Sequence, residues 1–166
     1  MMKRIAPLQE MDRAPDFVLK TKTAEGLKDI RLWDNLRKKQ TILLFFPMAF
    51  TSGCTKELCA ASEDYSQYAK LDADVYGISA DNPFAQEAWA KASNITITLL
   101  SDMGSKVIED YGVLAPSRFG FPGVAMRSVF VINKIGTIVY RWVGKELSDL
   151  PDFEPVKQAL GRPQFL

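Results

Sequence analysis

The chain has 166 residues, of which 47% are hydrophobic and 25% charged, and its 21 lysines and arginines nearly cancel 20 aspartates and glutamates for a formal net charge of +1. That composition argues against disorder and against a basic nucleic-acid footprint. There is no histidine, which removes Ser-His-Asp and Cys-His catalysis, imidazole general bases and every histidine-containing metal site, and the two cysteines are too few for a thiolate metal cage or an extracellular disulfide framework.

The start, Met1-Met2-Lys3-Arg4-Ile5-Ala6-Pro7, is basic but has no apolar region behind it, so no targeting segment is expected. Residues 16–20 (DFVLK) read as a short strand, and the turn-rich stretch 21–26 leads to a second short run at 27–30. Together they predict an N-terminal hairpin. Leu32, Trp33 and Leu36 predict a helical turn at 31–38, and 41–46 (TILLFF) is a continuous apolar run of the kind a doubly covered strand has, ended by Pro47. From Cys54 onward Leu58, Ala61, Tyr65 and Tyr68 recur at steps of three and four, while Lys56, Glu63, Asp64, Gln67 and Lys70 take the other face. This spacing predicts an amphipathic helix to about Leu71.

A buried strand follows at 74–79 (DVYGIS), then Asp81-Asn82-Pro83 as the cap and first turn of a helix through Ala92. Residues 95–100 are strand-like, Ser101-Asp102 can cap a helix from 104 to 111, and 112–123 is loop-rich. Residues 128–132 (SVFVI) and 137–142 (TIVYRW) flank Asn133-Lys134-Ile135-Gly136 and predict an antiparallel pair. Pro151 suits the first position of a final helix to about Gly161. Alternating strands and helices with a terminal hairpin predict an α/β fold, a mixed sheet covered on both faces, in one domain over residues 1–166. No apolar stretch approaches the roughly 20 residues of a membrane span, and a cytoplasmic protein is expected.

The segment 45–59 (FFPMAFTSGCTKELC) carries the chemistry, because it joins a central strand to a helix. In an open α/β sheet, reactive groups gather at the carboxyl ends of strands. Cys54 would lie in the first turn of the following helix, where unpaired backbone N–H groups and the positive dipole end favour a thiolate. From these residues alone the reading stays open between an activated redox cysteine and a small buried residue at a helix start.

The same string resembles the peroxiredoxin signature P-x-x-x-[TS]-x-x-C, matched by Pro47, Thr51 and Cys54. Further matches are Ala14-Pro15-Asp16-Phe17, Gly77-Ile78-Ser79, Leu100-Ser101-Asp102 and the run from Arg127 to Ile132. Within that family the chain looks most like the bacterioferritin-comigratory-protein branch, because Cys59 follows Cys54 by five residues.

The resemblance implies a thioredoxin-like fold and a peroxidatic role for Cys54, which would take one peroxide oxygen to become a sulfenic acid. By position, Arg127 would stabilise the departing oxygen, Thr51 would accept from Arg127 or donate to the peroxide, and Pro47 would shield the thiolate. Glu57 would orient the arginine, and Gly53 is counted with Glu57 as a supporting residue of the site. Cys59 would resolve the sulfenic acid as an intramolecular disulfide. On a regular helix residues five apart are about 8.7 Å apart at Cα, beyond the roughly 7 Å a disulfide tolerates, so the helix start would have to unwind in each cycle.

The implied partners are a peroxide and thioredoxin or a similar thiol reductant, with no nucleic acid and no membrane, and the protein would be a monomer or homodimer. No cofactor and no metal are expected, since there is neither a G-x-G-x-x-G fingerprint nor a ligand set. Phe46, Met48, Phe50, Phe119 and Phe121 would supply an apolar mouth. The alternatives are a one-cysteine peroxidase served by an external thiol, a thiol-disulfide oxidoreductase on the same fold, and a non-catalytic binding protein. The second lacks the usual C-x-x-C.

Overall fold

A computed structural model describes residues 6–163; residues 1–5, on which most of the targeting reading rests, lie outside the described residues. Seven strands, β1 (Val18–Thr23), β2 (Gly26–Arg31), β3 (Gln40–Phe45), β4 (Ala73–Ser79), β5 (Thr98–Ser101), β6 (Ser128–Ile132) and β7 (Ile138–Val143), form one sheet. Its order is β2-β1-β5-β4-β3-β6-β7. The β3, β4 and β5 pairings are parallel, whereas β6 runs antiparallel to β3 and to β7, and the β1–β2 hairpin attaches antiparallel to β5 through Lys20 and Ser101. The mixed sheet and the N-terminal hairpin are thus as the hydrophobic pattern predicts.

Strand β3 is buried throughout and apolar from Ile42 to Phe45, because both of its faces are covered. Leu43 and Phe45 enter a core with Phe17, Ile78, Leu100, Ile108, Tyr111 and Phe130. Ile42 and Leu44 enter the opposite core with Leu58, Trp89, Val129, Val131 and Val156. Each such side chain contributes roughly 1.5–3 kcal/mol by leaving water, and the two cores hold the strand end, and therefore the loop after it, in place from both sides.

Among the described residues five α-helices complete the layers: α1 (Ser52–Glu63), α2 (Tyr65–Lys70), α3 (Pro83–Ser93), α4 (Lys106–Asp110) and α5 (Glu154–Leu160). The predicted helix from Cys54 to Leu71 is divided at Asp64, whose carboxylate is drawn 2.9 Å from Lys157 Nζ. Asn82 caps α3 by accepting from the Ala85 N–H at 2.9 Å, leaving Asp81 free for another partner. The last helix begins later than Pro151 predicts, with Pro155 in its first turn. Helix α4 likewise starts at Lys106, and Asp102 reaches into it by accepting from the Ile108 N–H at 2.8 Å.

One close approach explains a glycine. A Cβ built on Gly77 of β4 would come within 2.7 Å of Leu99 Cδ2 and 2.9 Å of Leu58 Cδ1, so only hydrogen lets α1 lie this near the sheet. Among the described residues no helix is long and apolar enough to cross a membrane.

Candidate active site

Beyond β3, Phe46 donates its N–H to the Ile78 carbonyl, and residues 47–51 then turn back into α1. Phe50 sits in this turn at φ 65°, a left-handed conformation that costs a non-glycine residue about 1–2 kcal/mol. Two side-chain bonds hold the turn against that strain. Asp81 Oδ2 accepts the Ala49 N–H at 2.8 Å and the Ser79 hydroxyl at 2.7 Å, while Thr51 Oγ1 donates to the Met48 carbonyl at 3.0 Å.

Thr51 is the residue before α1, but its side chain makes no capping bond. Its carbonyl instead accepts the Thr55 N–H at 3.0 Å and the Thr55 hydroxyl at 2.8 Å. Thr51 is expected to accept from Arg127 or to donate to the peroxide; in this structure its hydroxyl donates into its own loop. Sequence spacing places Thr51 near the cysteine; the loop's turn decides which carbonyl its proton faces.

Cys54 is in the first turn of α1 and only 1% exposed. Arg127, immediately before β6, extends its guanidinium to it, with Nη1 3.3 Å from Cys54 Sγ and 2.6 Å from Glu57 Oε2. Its Nη2 donates to the Leu147 carbonyl at 3.1 Å. Cys54 and Glu57 are three residues apart, so one helix face presents both to the same cation. Glu57 and Arg127 are both buried, and burial pushes the Glu57 carboxyl up to about 7 against the opposing pull of Arg127. Burial also works against the Arg127 charge, but Glu57 and Cys54 more than compensate and raise its pKa.

Gly53 has a steric reason to be glycine. A Cβ there would lie 3.2 Å from Arg127 Nη2, so a side chain would press on the guanidinium.

Pro47, Met48, Thr51, Ser52, Gly53, Cys54, Arg127, Leu147 and Ser148 line an open cavity of about 430 Å³. A somewhat larger cleft between β1 and α3, lined by Lys22, Gln86, Glu87 and Lys91 among others, holds no cysteine, and chemistry rather than size singles out the smaller one. Six residues named from sequence, Pro47, Met48, Thr51, Gly53, Cys54 and Arg127, therefore meet in one cavity, with Glu57 directly behind Arg127.

Cys59 does not join them. Both cysteines are free thiols, and Cys59 Sγ lies 3.3 Å from the carbonyl of Ser93 at the end of α3. It is half-buried against the α1-side core rather than on a solvated face.

The apolar mouth is formed only in part. Phe46 is fully buried and packs on Trp89 with ring centroids 5.2 Å apart, whereas Met48, which lines the cavity, and Phe119 both pack against a small cluster of Ala115, Val124 and Met126. Phe50 and Phe121 are exposed. Asp81 and the Leu147 carbonyl escaped sequence reasoning. Asp81 reads as part of a helix cap, and a backbone carbonyl 20 residues from Arg127 leaves no trace in spacing.

Residues 11–141 match the model of the AhpC/TSA family. The chain is 38% identical over 133 residues to a putative peroxiredoxin bcp of Coxiella burnetii, covering 78% of this chain and 85% of that one. It is 36% identical over 124 residues to the chloroplastic peroxiredoxin Q of Gentiana triflora, covering 75% of this chain and 54% of that one. The chain spans about half to two thirds of the length of the plant relatives it matches. Its fold is similar to the crystal structure of peroxidoxin BcpB from Mycobacterium tuberculosis, with a TM-score of 0.76 and 27% identity over 92% of this chain and 94% of that one.

Proposed function

This chain belongs to the AhpC/TSA family, and we propose that it is a thiol-dependent peroxidase that reduces hydrogen peroxide and organic hydroperoxides through Cys54. The observation that carries the reading is the Arg127 guanidinium placed 3.3 Å from Cys54 Sγ and tied to buried Glu57 at 2.6 Å.

A peroxide O–O bond breaks heterolytically when a nucleophile takes one oxygen and the other leaves with the bonding pair. Cys54 supplies the nucleophile, its sulfur held in the first turn of α1 at 3.3 Å from Arg127 Nη1. Arg127, whose Nη1 lies 3.3 Å from the sulfur, donates to the departing oxygen as it gathers charge. A donor fixed in advance for that charge typically contributes about two to three orders of magnitude in rate. Glu57 prevents the guanidinium from swinging away, and the Leu147 carbonyl holds its other nitrogen. Pro47, buried at the cavity wall, limits water around the sulfur. The product is a sulfenic acid on Cys54 and water or an alcohol.

Cys59 then closes a disulfide with Cys54, and a thioredoxin-like dithiol restores both thiols, in a cytoplasmic protein that acts as a monomer or homodimer without metal or organic cofactor. The position of Cys59 against Ser93 also favours a second reading, in which an external thiol reduces the sulfenic acid directly.

The deciding experiment follows oxidation by one equivalent of hydrogen peroxide at pH 7 in the parent, Cys54→Ser and Cys59→Ser, with intact mass as the readout. Fast oxidation lost only in Cys54→Ser supports the peroxidase. A loss of two hydrogens in the parent, replaced by a gain of one oxygen in Cys59→Ser, supports the internal disulfide. Slow oxidation indifferent to Cys54 overturns the reading.

A further inference from the structure

Thr55 and Cys59 lie four residues apart on α1, and Trp89 and Ser93 lie four apart on α3, so each pair faces one way. The two pairs meet as rungs. Trp89 Nε1 donates to Thr55 Oγ1 at 3.0 Å, and Cys59 Sγ donates to the Ser93 carbonyl at 3.3 Å. Trp89 is 1% exposed and packs on Phe46, so its indole N–H lies where water does not reach. Thr55 Oγ1 in turn donates to the Thr51 carbonyl at 2.8 Å, which extends the link from α3 to the loop carrying the candidate site.

We propose that Thr55 and Trp89 form a clamp between α1 and α3 that sets how readily Cys59 reaches oxidised Cys54, making Thr55 a positioning residue for the second step of the reaction. The role rests on the peroxidase reading above, with Cys59 as the resolving thiol. In that step the Cys59 sulfur attacks the Cys54 sulfenic sulfur. One S–S bond forms, the S–O bond breaks, and hydroxide leaves as water with the Cys59 proton. Cys59 is oxidised and the Cys54 sulfur reduced, so no further reactant is needed.

The two sulfurs cannot meet on an intact helix, for the Cα separation of about 8.7 Å exceeds what a disulfide spans. The turn between them must open, and Thr55 lies in that turn. Opening parts Thr55 from Trp89 and leaves a buried indole N–H without its acceptor, which makes the open state rarer. While the turn stays closed, a second peroxide can add another oxygen to Cys54 and give a sulfinic acid. The clamp thus divides oxidised Cys54 between disulfide and sulfinate.

Thr55→Val removes the acceptor, together with the hydroxyl's bond to the Thr51 carbonyl, and keeps the shape and the β-branch, Thr55→Ser keeps the hydroxyl, and Trp89→Phe breaks the rung while leaving the Thr51 bond in place. After one equivalent of hydrogen peroxide, sulfenic acid is expected at the parent rate in both. Its conversion to disulfide is expected about threefold to tenfold faster in Thr55→Val, the range a single net hydrogen bond supports, and at the parent rate in Thr55→Ser. With excess peroxide the sulfinate fraction falls in Thr55→Val alone. Trp89→Phe, which removes the donor, shifts conversion the same way, and the double variant Thr55→Val/Trp89→Phe adds little to either single one, as expected for one shared bond.

A second measurement needs no peroxide. In Cys54→Ser, alkylation of Cys59 is expected to quicken by a similar factor when Thr55→Val is added. Unchanged conversion in Thr55→Val, or unchanged alkylation of Cys59, overturns the clamp. A parent that forms no sulfenic acid overturns the peroxidase reading and this role with it, and a parent that stops at sulfenic acid overturns the resolving role of Cys59; each is separately visible in the parent's mass.

Discussion

Arg127 and Glu57 meet at 2.6 Å with both side chains shut off from solvent, and the same arginine nitrogen lies 3.3 Å from the Cys54 sulfur. A buried cation needs a partner whether or not a substrate is present, so the carboxylate that fixes the guanidinium also makes its burial tolerable.

Arg127→Gln should separate these two duties. Loss of the cation leaves the Glu57 carboxyl buried without its partner, where burial keeps it protonated; an orphaned buried polar group typically costs about 1–3 kcal/mol, and the change also removes the donor proposed for the departing oxygen, slowing oxidation of Cys54 about 10²–10³-fold. Adding Glu57→Gln replaces the orphaned carboxyl with an amide and is expected to leave the rate as slow as in the single variant. Urea unfolding and stopped-flow oxidation of the single and double variants check both halves.

Stability should fall with rising pH between about 4.5 and 7 in a way that depends on Glu57. Its carboxyl titrates near 4.5 when unfolded and at about 7 in the fold, chiefly because burial disfavours the charge. Across that window the folded chain holds a proton that the unfolded chain has released, so the unfolded state gains as pH rises. The contribution is fully present below the unfolded value and lost as pH passes the folded one, with a ceiling of about 3 kcal/mol. Unfolding free energies at pH 4.5 and 7 should differ less in Glu57→Gln than in the parent; equal slopes would contradict the assignment.

Asp81 is expected to matter for a loop it is distant from in sequence. Asp81→Ala releases the Ala49 N–H, and oxidation of Cys54 should slow about tenfold, with a stability loss of about 1–3 kcal/mol for the orphaned donor. Asp81→Asn keeps an acceptor and should recover most of the rate. Oxidation kinetics at one peroxide concentration distinguish the three proteins.

Gly53→Ala should uncouple stability from activity. Alanine is the better helix residue by up to about 1 kcal/mol, yet its Cβ would press on Arg127 Nη2 from 3.2 Å. Thermal unfolding should be unchanged or improved while oxidation of Cys54 slows severalfold. A loss of stability with an intact rate would show that the cation does not feel this contact.

By itself the sequence determined most of the framework and half of the site. Apolar periodicity is local information, so the β3 run, the α1 stripe and the terminal β6–β7 pair could be read directly, and with them the place of Cys54 at a strand-to-helix junction. Pro47, Thr51 and Arg127 were legible only through resemblance, and for Arg127, 73 residues from Cys54, no periodicity reaches that far.

The tertiary structure decided the rest through pairings between distant segments. It turned Thr51 into its own loop, gave Arg127 to Glu57 and the Leu147 carbonyl, sent Asp81 to Ala49 rather than to a helix cap, and set Cys59 against α3. Each of these is a choice among several acceptors or donors within reach of one side chain. Such choices depend on where the sheet and helices carry the backbone, and neighbouring residues in the chain do not encode them.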